Sequence, residues 1–179
     1  MKDLFLNKST YESNKDAPLG HTDRLKYLQV IKNAKFESSF PPFQVTNVGG
    51  INVIDESKSC EVGAKARFGE FYMSTIKQDE IVYVQPRQGF AGISLAYLCK
   101  KFNKKLTLIM PSSKEASHHQ RLCIELGANP RFVRIAAMPN ANHIAEKYAK
   151  KVNACYVPLG LRHPHVTAGA VHSLSLIHI

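Results

Sequence analysis

Short apolar runs alternate with stretches whose apolar residues recur every three or four positions, from about residue 51 to the C-terminal region. Ile51–Ile54, Ile81-Val82-Tyr83-Val84, Leu106–Met110, Arg131–Ile135 and Ala154–Val157 read as strands; the second is richest in β-branched residues. Helical spacing fills the intervals. Roughly Ala64–Ile76 forms one helix, and Leu95, Leu98, Cys99 and Phe102 make one face of the next. Ser112-Ser113-Lys114-Glu115 has the form of a capping box, opening a helix with Leu122, Cys123 and Leu126 on one side and Gly127 as its stop. A further helix presents Ile144, Ala145, Tyr148, Ala149 and Val152. Upstream, Asp23 in a first turn and Leu25, Leu28 and Ile31 predict a helix from Thr22 to about Ala34. Ser38-Ser39-Phe40-Pro41-Pro42-Phe43 cannot continue it, because proline restricts itself and its predecessor, so this is an extended connector. Residues 1–20 carry no periodicity and read as a loose lead-in.

Strand–helix alternation with short links implies right-handed βαβ units: a three-layer α/β/α fold around a parallel sheet. Ligands of such sheets sit beyond the C-terminal ends of the strands, near helix N-termini. The turns to inspect follow Ile54, Val84, Met110, Ile135 and Val157.

Composition narrows the class. At 179 residues and 44% hydrophobic content the chain can bury a core, and no run of about 18 apolar residues is present to span a membrane. The first 18 residues are polar and charged, without the apolar stretch of a secretory signal. Cys60, Cys99, Cys123 and Cys155 lack CxxC spacing, which points away from metal clusters and disulfide frameworks and toward a reducing cytoplasm. The net charge of +10 is spread along the chain. Its densest cluster, Lys100, Lys101, Lys104 and Lys105, falls at a predicted helix end, where cations complement the helix dipole. No aromatic interleaving or motif accompanies the charge, so nucleic acid is not the expected partner.

Two segments carry candidate chemistry. Lys65, in Cys60-Glu61-Val62-Gly63-Ala64-Lys65-Ala66-Arg67, lies where a loop turns into a helix. A helix N-terminus disfavours the protonated amine, and a depressed amine pKa is what condensation with an aldehyde needs. A solvated surface lysine is the plainer reading of the same position. The second segment is Pro86-Arg87-Gln88-Gly89-Phe90-Ala91-Gly92, after the strand ending at Val84. Glycines between strand and helix let the backbone approach an anion, and amides at the helix start can hold a carboxylate or phosphate. Plain packing is the competing reading.

Taken in order, these segments resemble the N-terminal part of the fold-type II pyridoxal-phosphate (PLP) enzymes, the tryptophan synthase β and threonine dehydratase group. The resemblance rests on Phe40-Pro41-Pro42-Phe43, Ile51–Asp55, Lys65-Ala66-Arg67, Gln88–Gly92, Ala96–Lys100, Leu108-Ile109-Met110-Pro111, Leu126-Gly127-Ala128, and Pro158 through Gly169. Lys65 and Gly89 are 24 residues apart, as suits that group. The resemblance implies that Lys65 holds PLP and moves the α-proton of a small amino acid. It implies that Phe90 lies against the cofactor, and that Arg87, Gln88, Gly89, Ala91 and Gly92 receive the substrate carboxylate. The reaction would be β- or γ-elimination, replacement or deamination. Members of the group are often dimers, so a homodimer is implied for a full-length protein.

The departures are specific. Phe90 stands where the group usually has an asparagine, and Arg87 and Gln88 replace hydroxyl residues. A carboxylate could pair with Arg87 instead; equally, Phe90 fits a non-catalytic relative of the same fold. A generic nucleotide-binding α/β domain is a third reading, but it lacks the tight glycine fingerprint and following acidic residue. The group's phosphate cradle lies further C-terminal, which makes the fold incomplete here and predicts weak PLP binding by this chain alone. Leu174–Ile179 resembles a translated sequencing-adaptor end, with a short apolar strand as the alternative. The expected organisation is therefore a lead-in and helix at 1–35, a partial PLP-enzyme domain at 36–173, and a non-native tail at 174–179.

Overall fold

A computed structural model describes residues 24–134 and 137–175. The loose lead-in, Ile135 and the last four tail residues lie outside the described residues. Leu174 and Ser175 continue a helix rather than a strand.

The sheet is built from the most apolar runs. Strands β3 (Glu80–Val84), β4 (Lys105–Pro111), β5 (Asn129–Val133) and β6 (Cys155–Tyr156) lie in the order β5-β4-β3-β6, and every pairing is parallel. Ile81 through Val84 are at most 1% exposed, because helices cover both sides of the sheet. Ile81 and Tyr83 face one apolar cluster, and Val82 and Val84 face the other.

The first face is covered by α3 (Ala64–Thr75) and α4 (Ala91–Lys101), with α5 (His118–Glu125) beside α4. Leu95, Leu98 and Cys99 of α4 are buried, as their spacing predicts. The second face is covered by α6 (Met138–Val152) through Ala141, Ala145 and Ala149, one small residue per turn. Ile144 and Val152, expected on that buried face, are more than a third exposed; alanines let the helix lie closer to the sheet. Asn153 ends α6 in the left-handed conformation, φ 56°. The remaining helices are α1 (Arg24–Asn33), the single turn α2 (Glu56–Ser59) and α7 (Pro164–Ser175), which packs between α1 and α3. Gly169 of α7 meets the Phe68 carbonyl so closely that a Cβ there would overlap it.

Three expectations are corrected. Ile51–Ile54 is a strand, β2, but it pairs antiparallel with β1 (Val45–Val48) in a separate hairpin, outside the parallel sheet. The turn after Ile54 is therefore not at the sheet's rim. The capping box forms at Ser117 and Gln120, not at Ser112 and Glu115, and each side chain bonds the other's backbone amide. The sequence also reads His163 and His165 as flanking Pro164 in a loop; instead Pro164 opens α7, a position that lacks an intrahelical donor in any case.

Candidate functional site

From β3 the chain runs to β4 through α4 on one face, and from β5 it returns to β6, on the other side of β3, through α6 on the opposite face. The C-terminal ends of β3 and β6 thus flank the point where the topology reverses, the place such sheets bind ligands. Two bends meet there: Gln85–Phe90 after β3, and Val157–Leu161 after β6. The Val157 amide donates to the Val82 carbonyl at 2.9 Å, and the Gly160 amide donates to the Tyr83 hydroxyl at 3.3 Å.

The first bend is organised by Gln85, which is fully buried. Its Nε2 donates to the carbonyls of Pro86 (2.9 Å) and Gly89 (3.0 Å), and its Oε1 accepts from the Gly92 amide at 3.0 Å. A buried glutamine needs such partners, and here they fold the bend around it. Gly92 has no alternative residue: a Cβ would collide with the Gln85 amide and lie 3.2 Å from Cys123 Sγ. Gly89 adopts φ 132°, which a side chain would strain. The amides of Gly89, Phe90 and Ala91 have no acceptor among the described residues and stand at the start of α4. They are unpaired donors, with Gly89 half-buried and Ala91 buried.

The other carboxylate candidates are placed differently. Gln88 is exposed. Arg87 is exposed too, but its Nη1 donates to Ser113 Oγ and to the Glu115 carbonyl (3.3 Å). Its carbonyl accepts from Ser117 Oγ. These contacts clasp the bend to the segment that opens α5. Phe90 is 55% exposed, with its ring edge-on to His119 at 5.0 Å. His119 is itself only partly covered.

Lys65 is the second residue of α3, after Gly63 with φ 84°, and it is exposed. The loop before it reaches the bend through one hydroxyl. Ser94 Oγ lies 2.7 Å from the Val62 carbonyl and 3.0 Å from the Phe90 carbonyl. Behind Lys65, Arg67 is buried under Phe40 and Phe43, with its Nε donating to Glu56 at 2.8 Å. Arg67 is thus a buried ion-pair partner rather than a surface residue. Glu70 is buried as well, accepting from Ser38 Oγ, Ser39 N and Lys101 Nζ. Burial alone would raise the Glu70 carboxyl pKa, but those bonds prevail and hold it below its ordinary value. Cys60, near Lys65, is buried with its Sγ 3.3 Å from the Gly63 carbonyl, and burial pushes its thiol pKa up, so it is a packed residue rather than a reactive one.

Gln85, Ser94 and Ser117 escaped the sequence reading. The usable signal was at Gln85, a polar residue ending an otherwise apolar strand immediately before Pro86. His163 and His165 stack with each other at 5.1 Å, and His163 lies 3.9 Å from the Tyr72 ring. No group of three His, Cys, Asp or Glu among the described residues is arranged to hold a metal ion.

This arrangement of strands, crossovers and bends recurs in solved structures. The chain superimposes on processed threonine deaminase isoform 2 from Solanum lycopersicum with a TM-score of 0.64 and 15% identity, over 81% of this chain and 44% of that one. A pyridoxal 5'-phosphate-dependent aspartate racemase gives 0.61 and 16%, over 89% and 52%. Escherichia coli diaminopropionate ammonia lyase gives 0.59 and 12%, over 90% and 56%. The fold is that of the fold-type II PLP enzymes. At these identities the likeness is one of fold, and the chain spans about half the length of the structures it matches. No protein-family model matches the sequence, and no curated protein does. Among the described residues, no helix is long and apolar enough to cross a membrane.

Proposed function

We propose that the chain forms part of a PLP-dependent enzyme acting on a small amino acid by elimination, replacement or deamination. One observation supports this reading above the others. The Ser94 hydroxyl joins the loop that presents Lys65 to the bend whose amides are unpaired. A fold used by PLP enzymes thus carries an amine and an anion-receiving bend on adjoining segments.

The residues fit the group at two points. Lys65 has no hydrogen-bond partner among the described residues, so its amine is available for covalent attachment. Gly89, Phe90 and Ala91 offer amides suited to a carboxylate. PLP, when bound, supplies an electron sink for charge developing at the amino acid's α-carbon. In this proposal Lys65 Nζ holds the cofactor, and the same amine is the base that takes the α-proton, which its position makes effectively intramolecular. The unpaired amides orient the substrate carboxylate, while Arg87, clasped to Ser113 and Glu115, keeps the bend in place. A homodimeric assembly belongs to the same proposal by resemblance, and a cytoplasmic location by the scattered cysteines.

A second reading, a relative of this fold without catalysis, is favoured by Phe90, whose exposed ring offers no hydrogen bond where the enzymes place a polar group. Titration with PLP, in a protein spanning the full length of the matched structures, separates the two. The first reading expects a visible absorption band that Lys65→Ala abolishes. A band unchanged in the variant removes Lys65 from the role, and no band in a full-length protein favours the second reading.

A further inference from the structure

The loop that leads into Lys65 also borders a groove that none of residues 85–92 lines. There, Lys58–Val62, the connector at Phe40-Pro41 and the last turns of α4 enclose about 700 Å³. That volume lies within the range of small-molecule sites. Its walls are mainly apolar: the rings of Phe40 and Tyr97 pack tilted by 37° with centroids 5.8 Å apart, and Val62 and Leu126 lie beside them, while Lys101 Nζ sits 4.7 Å from the Phe40 ring centre. Three cations, Lys58, Lys100 and Lys101, border it against one acid, Glu61.

We propose that this groove is a binding site for a planar organic anion, distinct from the site at Lys65. The aromatic and apolar walls favour an aromatic body, which gains by burial against Phe40 and Tyr97. The cations select a carboxylate, sulfonate or phosphate on its edge. Their availability differs. Lys101 is held by Glu70 at 2.5 Å, and Lys58 lies 3.7 Å from Asp55. Lys100 is exposed, with no ion pair among the described residues, and is the cation free to meet the ligand's charge. The dipole of α4 accounts for basic residues at positions 100 and 101. It does not account for Lys58 on a different element, nor for the aromatic pair between them.

The probe is 8-anilinonaphthalene-1-sulfonate, an aromatic anion of suitable size, titrated into the ¹⁵N-labelled chain and followed by amide chemical shifts. Shifts are expected at residues 58–62, 97–101 and 126, saturating as a single site. Lys100→Glu should weaken binding about tenfold or more, the worth of one charge-assisted contact. Lys147→Glu, the same charge change on the exposed side of α6, should leave affinity unaltered. Tyr97→Ala, with its fold checked by the unperturbed shifts of β3 and β4, should weaken binding as well. Equal affinity in Lys100→Glu and the native chain overturns the proposal. So do shifts scattered over the surface, or confined to residues 85–92. No PLP is involved, so failure here is independent of the reading of Lys65.

Discussion

The bend between Gln85 and Gly92 is held from within, whereas the start of α3 at Lys65 is held only from behind. Inside the bend, one buried glutamine bonds two carbonyls and an amide, and the clasp at Arg87 and Ser117 closes the outside. At α3 the anchors are Arg67 and Glu70, two and five residues beyond Lys65, while the lysine itself is open to solvent. The difference suits the two tasks proposed for these segments. A carboxylate receiver works only if its amides are fixed before the ligand arrives. An amine that must both hold a cofactor and move a proton needs freedom about its own side chain, on a backbone that stays put.

The comparison breaks hardest at Gln85. Gln85→Ala should destabilise the chain by about 3 kcal/mol, leaving the Gly92 amide and two carbonyls unpaired around a cavity. Chemical denaturation reads this directly. A loss below about 1 kcal/mol would mean that the bend is held by the outer clasp instead.

Glu70 sharpens the other half. Because its carboxyl pKa is held below the ordinary 4.5, its contribution is present above that pH and is lost as pH falls through the lowered value. Glu70→Gln should cost about 1–2 kcal/mol near neutral pH and flatten the acid side of the stability profile. An acid limb equally steep in the variant would assign the loss to other carboxylates. At the foot of the scale, Lys65→Ala should change stability by less than about 0.5 kcal/mol, since the residue is exposed and has no hydrogen-bond partner among the described residues.

How much of this was legible follows from two runs of similar composition. Ile51-Asn52-Val53-Ile54 and Ile81-Val82-Tyr83-Val84 both read as strands, and both are. What the pattern did not carry was sheet membership. Every residue of the first is exposed, and every one of the second is buried. The missed signal was Asn47-Val48-Gly49-Gly50. Gly49 and Gly50 both have positive φ, as a two-residue hairpin turn requires, and Asn47 bonds the Gly50 amide. The order of elements and the place of the bend followed from periodicity, because burial of one face writes itself into spacing. Gln85 did not, because its role depends on Gly92 seven residues on and on Cys123 of α5 behind it. Likewise Ser94 becomes informative only once α4 brings it to the Val62 carbonyl.

Competitive labelling asks most directly whether the amine at position 65 is set apart from the other exposed lysines. A protein carrying this chain and spanning the full length of the matched structures is incubated with PLP over a range of concentrations, reduced with borohydride, and mapped by peptide mass spectrometry. Modification of Lys65 should saturate at the lowest concentrations, ahead of Lys58, Lys100 and Lys114, and an added small amino acid should suppress it selectively. Lys65 labelling no faster than those three, and indifferent to the amino acid, would contradict the account.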